Sequence, residues 1–198
     1  SCEPIAELAA QYESLEELIG AKLSMSKLVE EERVSQWADY LQNWMKSVLA
    51  YSLHGKVRLC ELCENDYVSE MSFYYSVQRL TSNKFNYVLK KHGLGAQEID
   101  FGAFEGHMKG AIDLVFKVQG QYYILDYKSN YLGNQPDDYQ LATLKVAMDE
   151  HRYDVQYLLY SLATHRYLRH RLGERYCYDR DFGGVYYLFL RGLALEGA

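Results

Sequence analysis

Gly110-Ala-Ile-Asp-Leu-Val-Phe-Lys-Val-Gln-Gly-Gln-Tyr-Tyr-Ile-Leu-Asp-Tyr-Lys-Ser129 is the stretch that decides the fold. Ile112 to Val118 and Tyr122 to Tyr127 are rich in β-branched and aromatic residues, and Gln119-Gly120 between them is a natural two-residue turn. The spacing predicts a hairpin in which Val118 pairs with Gln121. Stepping back along both strands then sets Asp113 directly opposite Asp126. Lys128 lies two residues beyond Asp126 and projects from the same face of its strand.

Like charges directly opposite one another destabilise a sheet, and aspartate is disfavoured in strands in any case. The neighbours Ile112, Leu114, Ile124 and Leu125 are apolar. Two misfit residues placed in register call for a cation between them. Mg²⁺ is a hard ion that takes one or two carboxylates and fills its remaining positions with water and phosphate oxygens. Paired carboxylates holding such an ion, beside a lysine ammonium, have the chemistry that phosphodiester hydrolysis requires. The plain alternative makes Asp113 and Asp126 ordinary turn or surface acids.

The chain has 198 residues, 48% of them hydrophobic, with two prolines and a formal charge of −6. That composition predicts one ordered domain with a substantial core, and its mildly acidic balance is unhelpful for holding nucleic acid by bulk charge. Any polyanion site must be a local patch or be fed by a partner. Twenty tyrosines serve equally as half-buried core or as stacking surface for bases. Ser1 to Gln11 lacks the basic flank and apolar run of a signal peptide, no stretch approaches a transmembrane span, and the opening at Ser1 without Met suggests a piece of something larger. Cys60-Glu-Leu-Cys63 has metal-type spacing, with His54 nearby, but a structural zinc needs four ligands and no second pair follows. Packing thiols are the better reading of Cys2, Cys60, Cys63 and Cys177.

Apolar residues at helical spacing predict helices over Ile5–Gly20 and Ser26–Tyr51, the second with a core face of Val34, Trp37, Leu41, Trp44, Met45 and Val48. Leu53–Asp66 reads as a loop with short pieces of structure. Tyr67–Val77 is β-prone, Leu80–His92 a short helix ending near Gly93, and Phe101–Lys109 an extended lead into the hairpin. From about Asp138 to Arg171 the chain is helical with a break near Glu150, Asp137 or Asp138 serving as cap and Gly173 as stop. Gly183-Gly184 opens a final apolar strand, Val185–Leu190. The order gives an α/β fold: a central mixed β-sheet flanked by helices, with residues 1–66 a mostly helical N-terminal part and residues 67–198 the core. Arg166, Arg169, Arg171 and Arg175, with His165 and His170, concentrate positive charge as a solvated helix face, a phosphate contact or a partner contact.

Gly110-x-x-Asp113-Leu-Val followed by Asp126-Tyr-Lys128-Ser resembles the active-site signature of RecB-family nucleases, a branch of the PD-(D/E)xK restriction-endonuclease-like superfamily. The resemblance continues through Gln156-Tyr-Leu-Leu-Tyr160, which matches the family's Gln-x-x-x-Tyr motif, and through Phe182-Gly-Gly-Val-Tyr-Tyr-Leu-Phe-Leu-Arg-Gly192. It is strong from Phe104 to Gly192 and weak over the first hundred residues. It implies a restriction-endonuclease-like core and a Mg²⁺-dependent DNA nuclease, with Mn²⁺ able to substitute. By position, Asp113 and Asp126 become metal ligands, the Tyr127 carbonyl a third, and Lys128 the catalytic lysine. Gln156, Tyr160 and Arg152, sharing a helix face, become DNA-positioning residues, and Glu70 on the preceding strand a supplementary candidate. The implied partners are single-stranded DNA delivered by a helicase and subunits like RecC and RecD, in the bacterial cytoplasm and with no membrane. The family's upstream Gly-x-x-x-His ligand has no counterpart: His54, His92 and His107 all lack a glycine four residues earlier. That gap sustains the other reading, a nuclease-like docking or DNA-holding module with an incomplete metal site. A cluster-bearing Cas4-like relative is disfavoured, since three of the cysteines precede Asp113.

Overall fold

The protein is described by a computed structural model over residues 16–55, 57–94 and 97–195. Two compact units share the chain, one reaching to Asp66 and resuming at Leu190, the other running from Tyr67 to Phe189.

In the first unit residues 16–26 are helical (α1), and the part of the expected helix before residue 16 lies outside the described residues. The expected Ser26–Tyr51 helix starts late: Lys27 has φ 54°, and a 3-10 turn at Glu31–Arg33 leads into α2, Val34–Ala50. The buried positions of α2 are Ala38, Gln42 and Val48. Trp37 and Met45, expected in the core, stay 37% and 39% exposed. The apolar stripe is wider than the surface it meets, and small Ala38 is where the helix approaches its neighbours. Trp44 uses its indole N–H, which donates to the Leu190 carbonyl at 3.1 Å at the start of the terminal helix Leu190–Leu195. Strands β1 (Ser52–Leu53) and β2 (Val57–Arg58) form a small antiparallel ladder.

The second unit is built on a four-stranded sheet of β3 (Tyr67–Leu80), β4 (Phe104–Val118), β5 (Gln121–Lys128) and β6 (Phe182–Phe189), in that spatial order. The first three are antiparallel and β6 runs parallel to β5, so the sheet is mixed. Helix α3, Ser82–Lys91, fills the β3–β4 connection and is capped by Thr81, whose hydroxyl accepts from the Lys84 N–H at 3.4 Å. A parallel neighbour needs a crossover. It is supplied by α4 (Leu141–Glu150), α5 (Tyr153–Leu172) and the short α6 (Tyr178–Asp181). The break falls at Arg152, with φ 54°, and Gly173 stops α5 with φ 59°. Asp137 and Asp138 do not cap α4. They belong to a 3-10 turn at Pro136–Tyr139 in which Asp138 accepts from the Gln135 N–H at 2.8 Å.

The β4–β5 turn is the predicted one. Gln119 and Gly120 have φ 50° and 86°, as a type I′ turn requires, and Val118 pairs with Gln121, continuing to Leu114 with Leu125. One core cluster gathers Met71, Ile112, Val115, Ile124 and Ala163. Ile112 and Val115 are three apart, so strict alternation has been broken between them, at Asp113. At the far end of the sheet the β5–β6 register shifts between Tyr122 and Tyr123, and Gly183 lies under the Tyr123 ring. A Cβ there would stand 2.2 Å from ring carbons, and the ring is stacked on Phe116 at 5.4 Å. Gly183→Ala should therefore cost about 1–3 kcal/mol by overpacking, and thermal unfolding should show the midpoint lowered by several degrees. An unchanged midpoint would mean that the ring yields freely.

Candidate active site

Strand β5 brings Asp126 and Lys128 to one face, and both are almost fully buried, at 3% and 7% exposure. The Lys128 ammonium lies 2.5 Å from Asp126 Oδ2 and donates to Gln156 Oε1 at 2.6 Å. Gln156 Nε2 donates to Asp126 Oδ1 at 3.1 Å and to the Tyr160 hydroxyl at 2.9 Å. Gln156 and Tyr160 reach the sheet together because they are four apart on α5. Its amide closes a ring with the ion pair and commits both of its N–H groups.

Asp113 is level with Asp126 but leaves the ladder. Pairing of β4 with β5 ends at Leu114 and Leu125, and the Asp113 carboxylate instead accepts the Tyr127 N–H at 2.8 Å. The two aspartates thus stand side by side where the strands part. Glu70 is level with Asp113 on β3, between the pairs Ser69–Leu114 and Met71–Ile112. It is exposed and has φ 49°, a left-handed conformation that costs a residue with a Cβ about 1–2 kcal/mol and that clusters at functional sites. Among the described residues no group of three His, Cys, Asp or Glu side chains is placed to share a metal. Arg152 is turned elsewhere. Its left-handed backbone takes it out of α5, and its guanidinium binds Asp154 at 3.1 and 3.2 Å and the Gln97 carbonyl at 2.8 Å.

Sequence reasoning missed the aromatic walls. The Lys128 ammonium sits 3.7 Å from the Tyr153 ring centroid and 5.1 Å from that of Tyr187, within cation–π range. Tyr187 donates to the Tyr153 carbonyl at 2.9 Å and Tyr153 to Asn130 Oδ1 at 2.9 Å. Tyr153 lies three residues before Gln156 and was open to detection by helical spacing. Tyr187 stands beside Asp126 through the parallel β5–β6 register, which no local pattern encodes.

Burial raises the Asp126 carboxyl above its ordinary range and the Asp113 charge pushes the same way, against the lowering effect of Lys128. Burial likewise raises the phenols of Tyr127, Tyr160 and Tyr187, which therefore stay neutral at neutral pH. The donors that the sequence motif implies, two carboxylates and the Tyr127 carbonyl, are all oxygen. Those donors fit a hard dication, and the desolvated, crowded charge of Asp126 is what such an ion would offset.

The mixed sheet flanked by helices, carrying these residues on its central hairpin, has the restriction-endonuclease-like α/β form, and a family model described as the PD-(D/E)XK nuclease superfamily matches residues 8–194. The chain belongs to that superfamily, whose members generally use divalent metals. It is 42% identical over 167 residues to the RecBCD enzyme subunit RecB of Escherichia coli strain K12, covering 82% of this chain and 14% of that subunit. The RecB of Haemophilus influenzae is 42% identical over 79% of this chain and 13% of the subunit. The RecB of Buchnera aphidicola subsp. Baizongia pistaciae is 34% identical over 91% of this chain and 16% of the subunit. The chain thus spans 13–16% of the length of these curated relatives.

Because the folded chain raises the Asp126 pKa, it binds that proton more tightly than the unfolded chain does. The stability this contributes is complete below the ordinary carboxylate value and is lost as pH rises through the raised one. In metal-free buffer, the unfolding midpoint of Asp126→Asn minus that of the wild type should grow more positive as pH is raised from below the carboxylate range to neutrality. A difference independent of pH would show that Lys128 and Gln156 fully offset the buried charge.

Proposed function

We propose that the chain is a Mg²⁺-dependent deoxyribonuclease domain, cutting DNA exonucleolytically or endonucleolytically within a bacterial, cytoplasmic helicase–nuclease assembly for double-strand break repair and recombination. Likeness to RecB, whose name places it in the RecBCD enzyme, supports subunits like RecC and RecD as partners and single strands delivered by a helicase as substrate. The observation that carries this reading is the buried Asp126–Lys128 pair at 2.5 Å with Asp113 level beside it. Asp113, Asp126 and the Tyr127 carbonyl would hold the Mg²⁺, or Mn²⁺ in its place. When bound, the ion supplies Lewis-acid polarisation of the phosphoryl oxygen and a more acidic water.

The chain's own residues supply the rest. Lys128 carries a fixed positive charge to the place where negative charge builds on the phosphate. Gln156 and the Tyr153 and Tyr187 rings restrict its flexible stem to one direction. Tyr160, held neutral, orients Gln156 and so positions the carboxylate without competing for the cation.

Asp126→Ala and Lys128→Ala should each lower Mg²⁺-dependent cleavage of linear DNA by about 100-fold or more, measured by release of acid-soluble label. Wild-type rates in either variant would remove the assignment. A second reading, a non-catalytic docking or DNA-holding module, draws support from the lack of a third His, Cys, Asp or Glu ligand beside the aspartates among the described residues. Titration calorimetry separates the two: Mn²⁺ should bind the wild type and fail to bind Asp113→Asn/Asp126→Asn. No binding to the wild type, with DNA left intact, would favour the docking module.

A further inference from the structure

The basic segment of α5 is not one continuous patch. Arg171 lies 5.9 Å from the Tyr167 ring centroid, and Arg175 falls beyond the helix in a 3-10 turn. Leu162, His165, Arg166, Arg169 and His170 line an open cleft of about 460 Å³. Four of these five side chains offer N–H donors, and no acidic residue occurs from Val155 to Gly173. In a chain with a formal charge of −6, this is a local concentration of positive potential.

The cleft lies on an exposed face of α5, and aromatic contacts hold two of its side chains. The Arg166 guanidinium lies 5.0 Å over the Tyr75 ring, within cation–π range. His165 is held by the Tyr176 hydroxyl at 3.4 Å and by the edge-on Tyr178 ring at 5.4 Å. The cleft is also joined to the candidate active site by continuous contact. Tyr75 stacks on Phe73 at 5.7 Å, Phe73 meets Tyr160 at 6.0 Å, and Tyr160 is bonded to Gln156. Gln156 and Arg166 are ten residues apart on one helix, a rise of about 15 Å. At ~3.4 Å per phosphate along a stacked strand, that is about four nucleotides.

We infer that this cleft is a phosphate subsite, in which Arg166 and Arg169 together grip one phosphodiester of the DNA strand about four nucleotides from the scissile bond. The inference rests on the nuclease reading for the identity of its ligand. Guanidinium forks match phosphate oxygens, and a basic face free of carboxylates suits a polyanionic backbone. The contact is to the backbone and carries no base preference.

The test is fluorescence anisotropy of a labelled single strand on the 198-residue chain, in EDTA so that no cutting occurs, across a salt series. Arg166→Gln/Arg169→Gln should weaken binding about tenfold or more and lower the slope of log affinity against log salt by about 0.7, the value for one lost phosphate contact. Arg169→Gln, a change at an exposed position, should weaken binding in the same direction and guards against misfolding of the double variant, with circular dichroism on both. Wild-type affinity and slope in both variants, or no binding by the wild type, would overturn the subsite. So would unchanged DNA binding combined with loss of capture by a RecC-like subunit, which would make the cleft a protein-docking surface. Arginine-dependent binding by a wild-type chain that never cuts DNA would defeat the nuclease reading and leave the subsite standing.

Discussion

A carboxylate removed from water is the constraint around which the second unit is arranged. Asp126 is 3% exposed, and an ion at that depth loses several kcal/mol of hydration that it must recover from its neighbours. Lys128 recovers part of it at 2.5 Å, but brings a buried charge of its own. Gln156 then serves both ions, accepting from the ammonium and donating to the carboxylate. Deleting one member strands the others, which is why strand β5 and helix α5 are bound to each other at this point. Burial outweighs these partners and raises the Asp126 carboxyl, so a further positive charge beside it would be favourable.

The second constraint is geometric. A two-residue turn with both φ values positive fixes the β4–β5 register, and a slip of one residue would carry every side chain to the opposite face. Register alone would force the two aspartates into direct repulsion. The strands avoid it by parting: Asp113 leaves the ladder and satisfies the Tyr127 N–H that the parting exposes. Neighbouring β3 answers with the left-handed Glu70, and the core then admits Ile112 and Val115 together. Local strain and broken alternation meet at one level of the sheet, the level of the candidate active site, as expected where function overrides regularity.

This division explains what could be read from the sequence. The hairpin and its turn are local features with period two, and the structure has them as the residues predict, whereas the aspartates come level without pairing, because the ladder ends at Leu114 and Leu125. The parallel neighbour is not local. Tyr187 reaches Asp126 only after the whole crossover from Lys128 to Phe182 has folded, so its part in walling Lys128 was invisible. Arg152 misled in the opposite sense, because its spacing from Gln156 suits a helix that its backbone does not join. On α2 the hydrophobic pattern identified the helix but overstated its core face, since exposed aromatic residues such as Trp37 leave the same periodic trace as buried ones. Aspartates at 137 and 138 suit a helix cap by composition, but they belong to a 3-10 turn with Pro136 at its start and an Asp138 side-chain bond to the Gln135 N–H.

Helix α5 carries the remaining step. Its first half supplies Gln156 and Tyr160 to the buried ion pair, and its second half, free of acids, presents arginines and histidines to solvent. A single helix therefore sets the distance between the candidate active site and the basic cleft, and on the proposed reading binding energy gained at one would be delivered to the other in fixed register. The formal charge of −6 works against capture of free DNA from bulk solution, so on this reading bulk affinity is not what the domain is built for. Delivery of a strand by a tethered partner replaces affinity with local concentration. Under that regime an acidic net charge would be an advantage, disfavouring nucleic acid held elsewhere than on the basic half of α5.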